Sequence, residues 1–203
     1  MKLKHGFAIA CAVLVTPPFV LAEVTGNPEK AAAIVTSVCS GCHGADGNGP
    51  VPTFPRLAGQ TADYLLKQLK DFKNNKRQND IMSPNVASLS DDDMANLALF
   101  FSTQKAVPAP SGDAGQLAKG KKLFEEGNTV SGVPACSGCH GPVGAGSPTY
   151  PRIAAQHVEY TLEQIKQFAA GKRKNDKRLM QTVASRLTEE EALAVAHYLA
   201  SLP

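Results

Sequence analysis

The chain has 203 residues, 43% of them apolar and 19% charged, which excludes a disordered chain and leaves room for one large or two small domains. The formal net charge is +3 and no long basic run occurs, so nucleic-acid binding has no electrostatic support. Tryptophan is absent and aromatic residues make up only 6% of the chain, so two small cores built from protein alone would be thin.

Residues 1–22 have the pattern of a secretory signal peptide. A basic start precedes the apolar run from Phe7 to Val15, and the segment ends on a small residue, Ala22. A membrane anchor is the main alternative, but the uninterrupted apolar run is too short to span a bilayer. A lipoprotein cleavage at Cys11 is a second alternative. We predict that the segment is removed on export to an oxidising compartment, where free thiols are unusual.

The remaining chain is predicted to be all-α, because apolar residues recur at helical spacing and strand-type alternation is not evident. The first helix of each half should begin at about Glu29 and at about Gln116 and run into the Cys-Ser-Gly-Cys-His stretch of that half. Matched apolar positions indicate a second helix in each half: Leu66, Leu69 and Phe72, and then Leu162, Ile165 and Phe168. Capping boxes indicate where the last helix of each half begins: Ser90 with Asp93, and Thr188 with Glu191.

Four cysteines remain outside the signal peptide, and they form two copies of one motif. Cys-Ser-Gly-Cys-His occurs at 39–43 and again at 136–140. Other stretches repeat at nearly the same spacing, such as Pro-Thr-Phe-Pro-Arg-Leu at 52–57 and Pro-Thr-Tyr-Pro-Arg-Ile at 148–153. The chain is therefore predicted to be a duplicated module. The predicted division is a signal peptide at 1–22, an N-terminal domain at 23–105, a proline-rich linker at 106–112 and a C-terminal domain at 113–203.

The motif C-x-x-C-H is the attachment signature of c-type haem. Two residues between the cysteines let both sulfurs reach the vinyl groups of one porphyrin, and the adjacent histidine then lies beneath the iron. The predicted attachment residues are Cys39 and Cys42 for one haem and Cys136 and Cys139 for the other, with His43 and His140 as iron ligands. Three alternatives compete: a disulfide within each motif, a thioredoxin-like redox pair, and one zinc ion bound by all four thiolates.

A second axial ligand used by both domains should occupy matched positions, and Met82 and Met180 do so. They follow their histidines by 39 and 40 residues, in polar loops between helices. The alternative role for each is a loop methionine packed on an apolar surface. The unmatched His157 and His197 are interpreted as surface or helix-end residues, and Met94 as core packing. Pairing with haem propionates is one role for four matched arginines, but they are left out of the predicted site because exposed arginines are commoner: Arg56, Arg77, Arg152 and Arg173.

The two motifs, the loop methionines and the stretch Phe-Pro-Arg-Leu-Ala-Gly-Gln at 54–60 resemble cytochrome c4, a family of exported dihaem class I cytochromes c. The resemblance covers nearly all of the chain after residue 22. It implies two tandem cytochrome c-type domains with two covalently bound haem c groups and His/Met ligation. It also favours Pro55 and Pro151 as carbonyl acceptors for the histidine Nδ1–H groups, the alternative being plain turn prolines.

The family resemblance implies electron transfer in a bacterial respiratory chain, in the periplasm and in some members at the membrane surface. We therefore expect a monomeric electron carrier, not an enzyme. Its donor would be a quinol-oxidising complex or another cytochrome, and its acceptor a terminal oxidase or reductase. One alternative is the dihaem cytochrome subunit of a larger dehydrogenase. A dihaem peroxidase is less favoured, because it needs an open iron position that Met82 and Met180 would fill.

Overall fold

The computed structural model describes residues 24–110 and 112–203, so the predicted signal peptide lies outside the described residues. The described residues form helices and loops, and within them β-type pairing is confined to one isolated bridge between Asn128 and Val133. None of the helices in these two ranges has both the length and the apolar character needed to cross a membrane. The predicted all-α fold is confirmed.

The N-terminal half begins with a continuous helical segment that runs into the first cysteine motif. Its parts are a 3₁₀ turn (Pro28–Ala31), α1 (Ala32–Ile34), a π-helical stretch (Val35–Cys39) and α2 (Ser40–His43). Asn27 caps the segment by accepting the Glu29 N–H at 2.9 Å, and a proline suits the first turn because its missing N–H would be unpaired there. The helices that follow are α3 (Ala62–Lys73), α4 (Met82–Val86) and α5 (Asp91–Ser102).

The C-terminal half repeats this order with one difference. Its helices are α6 (Ala114–Glu126), α7 (Ser137–His140), α8 (Val158–Ala169), α9 (Leu179–Ala184) and α10 (Glu189–Ser201). The loop that holds the Asn128–Val133 bridge separates α6 from α7, whereas the first half joins the same two elements without a break. The prediction that the first helix runs into the cysteine motif is therefore correct in the N-terminal half and wrong in the C-terminal half. The first helical segments start within two residues of the predicted positions in both halves.

Each half has its own apolar core. In the N-terminal half α5 packs against the first helical segment and against α3, and Met94 is buried among them with 1% of its surface exposed, as predicted. In the C-terminal half α10 packs against α6 and α8, and α9 packs against α8. The second core contains Leu123, Phe124, Val133, Val195 and Leu199. The cysteine motif therefore follows a helix that is anchored by the core of its own half.

Candidate haem sites

Each cysteine motif forms a short helix whose last residue is a buried histidine. His43 is 5% exposed and His140 is 7% exposed. The helices α2 and α7 stop there because the next residue, Gly44 or Gly141, has a φ of 78° or 82°, a conformation that glycine adopts without strain. The first cysteine of each motif is half-buried against the core of its own half.

Each histidine is held by a carbonyl oxygen from a loop eleven or twelve residues further on. His43 Nδ1–H donates to Pro55 O at 2.8 Å, and His140 Nδ1–H donates to Pro151 O at 2.8 Å. The rings also meet an aromatic edge at matched positions, Phe54 at 6.3 Å and Tyr150 at 6.2 Å between centroids. This hydrogen bond fixes the ring orientation and the tautomer, and it leaves Nε2 as the nitrogen able to bind a metal.

The surroundings of the two histidines favour the neutral state that metal ligation requires. Burial lowers the pKa of His43 and of His140 below the ordinary value of 6.5, and the bonds to Pro55 and Pro151 oppose that shift only in part. A neutral imidazole with its Nδ1–H already donated is a stronger donor at Nε2 than a free imidazole. The environment therefore prepares both rings as ligands.

The two predicted methionine ligands lie at the start of matched short helices. Met82 begins α4, and its N–H donates to Asn79 Oδ1 at 2.8 Å. Met180 is in the first turn of α9, and its N–H donates to Asp176 Oδ2 at 2.7 Å. Met82 packs on the same core as Cys39. In the other half α9 meets the core through Val183, and Met180 is half-buried beside it.

The thiols do not suit a redox-active pair. Burial raises the pKa of Cys39 to about 11, and burial raises that of Cys136 to about 11 as well. A redox-active C-x-x-C pair needs the opposite shift, toward a thiolate at neutral pH. All four thiols are free in the described residues, which hold no cluster of three or more His, Cys, Asp or Glu side chains around one metal position. A four-thiolate zinc site therefore has no geometric basis.

Two matched arginines lie where the halves meet. The Arg77 guanidinium is 4.6 Å from the Phe72 ring centroid, and the Arg173 guanidinium is 4.5 Å from the Phe168 centroid. Cations stacked on aromatic rings in this way are partly compensated by the ring quadrupole. Arg173 is only 6% exposed, so it is a buried charge.

The partners of these arginines are neutral. Arg77 donates to the Tyr160 hydroxyl at 3.0 Å, and Arg173 donates to the Tyr64 hydroxyl at 2.6 Å. Both guanidiniums also bond to the Gln164 side-chain oxygen. Burial alone would raise the pKa of Tyr160, yet the two cations lower it below 10. Among the described residues no salt bridge involves either arginine.

A second matched pair leaves buried donors without an acceptor. The Nε atoms of Arg56 and Arg152 are buried and have no hydrogen-bond partner. A buried donor or cation is costly unless it is paired. A haem c in each half would supply, through its two propionate carboxylates, the kind of acceptor and counter-charge that these arginines lack. The residues therefore fit the group that the motifs predict. The repeat singled out all four arginines, but the expectation that arginines are exposed kept them out of the predicted site; none of the four is exposed in the structure, and Arg173 is buried.

His157 differs from its sequence interpretation. It is the N-cap residue of α8, so the helix-end interpretation is correct, but it is buried and not on the surface. Its Nε2–H donates to Gly49 O in the other half at 2.8 Å. The matched residue, Thr61, is the N-cap of α3, and its hydroxyl is buried without a partner. No sequence signal points to His157, because its partner is a backbone carbonyl 108 residues away.

Comparison with known proteins agrees with this geometry. The family described as cytochrome c matches residues 28–105 and 117–203. Cytochrome c4 of Thiocapsa roseopersicina is 40% identical over 185 residues, covering 89% of this chain and 95% of the relative. A thiosulfate dehydrogenase electron acceptor of Stutzerimonas stutzeri is 40% identical over 172 residues, and the match covers 81% of this chain and 78% of that relative.

A solved structure extends the likeness to the fold. The crystal structure of reduced recombinant cytochrome c4 from Pseudomonas stutzeri superposes with a TM-score of 0.84 at 38% identity, over 88% of this chain and 100% of that chain. Two cytochrome c regions, each with one C-x-x-C-H motif, mean two covalently bound haem c groups and a role in electron transfer. The chain belongs to the cytochrome c family and, within it, to the dihaem cytochromes c4.

Proposed function

We propose that each half holds its own haem through the residues predicted from the repeat. The attachment residues are Cys39 and Cys42 in the N-terminal domain and Cys136 and Cys139 in the C-terminal domain. The axial ligands are His43 with Met82 and His140 with Met180. The domains are those of the sequence prediction, 23–105 and 113–203, with a linker at 106–112 between them.

The observation that carries this proposal is the repeated histidine–carbonyl bond. The same 2.8 Å contact occurs in both halves, to a proline at the same place in the repeat. A turn proline alone would not explain why a buried imidazole is oriented toward it twice. The methionine side supports the assignment, because a polar side chain fixes the backbone of Met82 and of Met180 in the same way.

The chemistry follows from this ligand set. A haem c bound by histidine and methionine supplies one-electron transfer at an iron whose two axial positions are filled. The protein's own residues hold the imidazoles, exclude water from them and present buried cations at the interface of the halves. No residue in the described part of the chain has to move a proton or bind a substrate for this function. We therefore assign the protein to electron transfer without a catalytic role.

The proposed setting is the periplasm, in a respiratory chain. The signal-peptide pattern at 1–22 supports export, and the resemblance to cytochrome c4 supports that compartment. The partners are redox proteins: a quinol-oxidising complex or another cytochrome as donor, and a terminal oxidase or reductase as acceptor. Contact with the membrane, where it occurs, would be peripheral.

A second candidate function is that of the cytochrome subunit of a larger dehydrogenase. It is favoured by the relative named thiosulfate dehydrogenase electron acceptor, which is 40% identical. Gentle purification from the native cells separates the two functions. A free dihaem protein supports the carrier, whereas constant copurification with a dehydrogenase supports the subunit.

The ligand assignment is tested by replacing each methionine. Met82→Ala and Met180→Ala should each keep both haems attached and open one iron to cyanide or carbon monoxide. The potential of the affected haem should fall, because the thioether that favours ferrous iron is lost. Met94→Ala is the matched control, because Met94 lies in the core. Wild-type spectra and unchanged ligand inertness in both loop variants would contradict the assignment.

A further inference from the structure

The two halves bind each other through a reciprocal pair of glutamine contacts. The Arg56 N–H donates to Gln156 Oε1 at 2.9 Å, and Gln156 Nε2 donates to Arg56 O at 3.0 Å. The same pattern occurs in the opposite direction, where Arg152 N–H donates to Gln60 Oε1 at 2.8 Å and Gln60 Nε2 donates to Arg152 O at 2.8 Å. Each glutamine therefore binds one residue of the opposite half through both its amide oxygen and its amide nitrogen.

Gln156 binds the peptide unit between Pro55 and Arg56, and the carbonyl of that same unit accepts the hydrogen bond from His43. The N–H of Arg56 and the carbonyl of Pro55 belong to one planar peptide, so fixing the first fixes the second. Pro55 O accepts the Nδ1–H of His43. The contact from Gln156 is thus one peptide unit away from the proximal histidine of the other half. A hydrogen bond donated by the N–H also polarises the carbonyl of the same peptide and makes its oxygen a better acceptor.

The C-terminal half shows the same chain of contacts. Gln60 Oε1 accepts the N–H of Arg152, and the carbonyl of the same peptide, Pro151 O, accepts His140 Nδ1–H at 2.8 Å. Gln60 is 8% exposed, so its bonds are made away from water. Its Oε1 also accepts the N–H of Thr61 at 3.0 Å, which fixes the orientation of the amide.

We propose that Gln60 and Gln156 are positioning residues that act across the interface. Gln156, in the C-terminal half, sets the strength of the His43–Pro55 bond, and Gln60 does the same for His140 and Pro151. The proposal rests on the histidine ligation proposed above. A stronger Nδ1–H···O bond gives the imidazole more anionic character and favours ferric iron, so the packing of the halves lowers both haem potentials.

The test uses the ferrous holoprotein and the two histidine Nδ1–H resonances, followed by exchange with deuterium in NMR. Gln156→Met keeps the length and volume of the side chain and removes both of its bonds to Arg56. We expect the exchange rate at His43 to rise roughly tenfold, the effect of about one lost hydrogen bond, with His140 within about twofold of wild type. The potential of the N-terminal haem should rise. Gln60→Met should give the mirror result at His140.

The control breaks other contacts between the halves. Asn175→Ala removes bonds to Gln68 and Asp71 in the N-terminal half and touches neither proline loop. It should leave both histidine resonances unchanged. The inference is overturned if each glutamine variant affects the histidine of its own half, affects both alike, or affects neither. A wild-type spectrum without haem-shifted Nδ1–H resonances would instead overturn the ligation, and the inference with it.

Discussion

The imidazole of His157 is buried between the two halves, where a positive charge is unfavourable. Burial is the largest effect and lowers the pKa of His157 below the ordinary 6.5. The nearby charge of Arg56 also lowers the pKa, whereas the hydrogen bond to Gly49 O and the charge of Glu159 raise it in part. The neutral ring keeps a proton on Nε2 for the 2.8 Å bond to Gly49 O. In the unfolded chain the same ring takes up a proton at ordinary acidity.

This difference predicts that acid destabilises the contact between the halves. Above pH 6.5 the His157 ring is neutral in both the folded and the unfolded chain, and its contribution to stability is complete. As the pH falls below 6.5, the unfolded chain binds a proton that the folded chain does not. Stability is therefore lost until the pH reaches the lowered pKa of the folded chain. His157→Gln keeps an amide donor and cannot titrate. Thermal unfolding from about pH 7.5 to about pH 5 should show wild type losing more stability than the variant. Parallel curves would contradict this role of His157.

The cysteine assignment predicts separable haem attachment. Replacing Cys136 and Cys139 by Ala should remove one covalent haem and leave the Cys39/Cys42 site occupied, because each motif carries its own pair of thioether bonds. Acid extraction followed by pyridine haemochrome assay should find about half the wild-type covalent haem. The reciprocal replacement of Cys39 and Cys42 is the control. Two haems retained in either variant would refute one motif for one haem.

The sequence offered candidate site residues where the repeat showed the same residue type twice. The cysteine motifs and the methionines are identical at matched positions, and Pro55 with Pro151 emerged in the same way. His157 was not accessible, because the matched residue is a threonine and the contact depends on how the halves pack. A repeat can identify what two domains share but not where their packing departs from symmetry.

At the scale of helices, the crossing of α6 and α10 depends on one small residue. Gly120 is buried, and a Cβ built on it would lie 2.1 Å from Ala194 O and 2.8 Å from Tyr198 Cβ. One turn later Phe124 fills the space beside the Tyr198 ring, with centroids 5.5 Å apart. The backbones of the two helices can approach this closely because position 120 has no side chain.

Gly120→Ala should therefore destabilise the C-terminal domain, although alanine is the better helix former. The helices must separate or shift, and overpacking of this kind lowers the free energy of unfolding by about 1–3 kcal/mol. Thermal unfolding followed by circular dichroism measures the loss. Gly115 is exposed in the same helix, and only the side chain of Asp113 lies near its Cβ. Gly115→Ala is the control and should stay within about 1 kcal/mol of wild type. Equal stability of the Gly120 variant would mean that the helices do not meet there.

Helix starts were predicted where a capping box is complete in the sequence. The boxes of Ser90 with Asp93 and of Thr188 with Glu191 are both present. The start of α6 was predicted two residues late, since Asp113 with Gln116 forms a third box that uses Gln in place of an acidic residue. The π-helical stretch Val35–Cys39 had no counterpart in the prediction, because apolar spacing does not distinguish it from an α-helix.

At the scale of the molecule, the two domains pack through residues that look like surface residues in the sequence. Gln60, Gln156, Arg77 and Arg173 are polar, and each finds its partner on the other half, 83 to 109 residues away. Hydrophobic periodicity predicts the core of each domain but carries no information on such an interface. The duplication was therefore predictable, and the arrangement of the halves was not.

The two domains differ in net charge, and this difference predicts unequal haem potentials. Residues 23–105 contain 8 basic and 9 acidic residues, a net charge of −1, whereas residues 106–203 contain 11 basic and 9 acidic, a net charge of +2. Two of the additional cations, Lys177 and Arg178, are exposed just before Met180. Asp176, beside these two cations, matches Asp80 in the N-terminal domain, so the effects of the two carboxylates on the haem potentials largely cancel when the domains are compared. The two cations have no counterpart in the N-terminal domain.

We expect the C-terminal haem to have the higher potential, because a nearby cation favours ferrous iron, which carries one positive charge fewer. One charge at about 10 Å with an effective dielectric of about 40–80 contributes about 0.4–0.8 kcal/mol. For one electron this is about 20–35 mV before salt screening. A redox titration should resolve two potentials, and Lys177→Gln with Arg178→Gln should bring them together, while Lys119→Gln, at an exposed position within α6, should not. A lower potential at the Cys136/Cys139 haem would contradict the electrostatic argument, since electrons would then settle on the N-terminal domain.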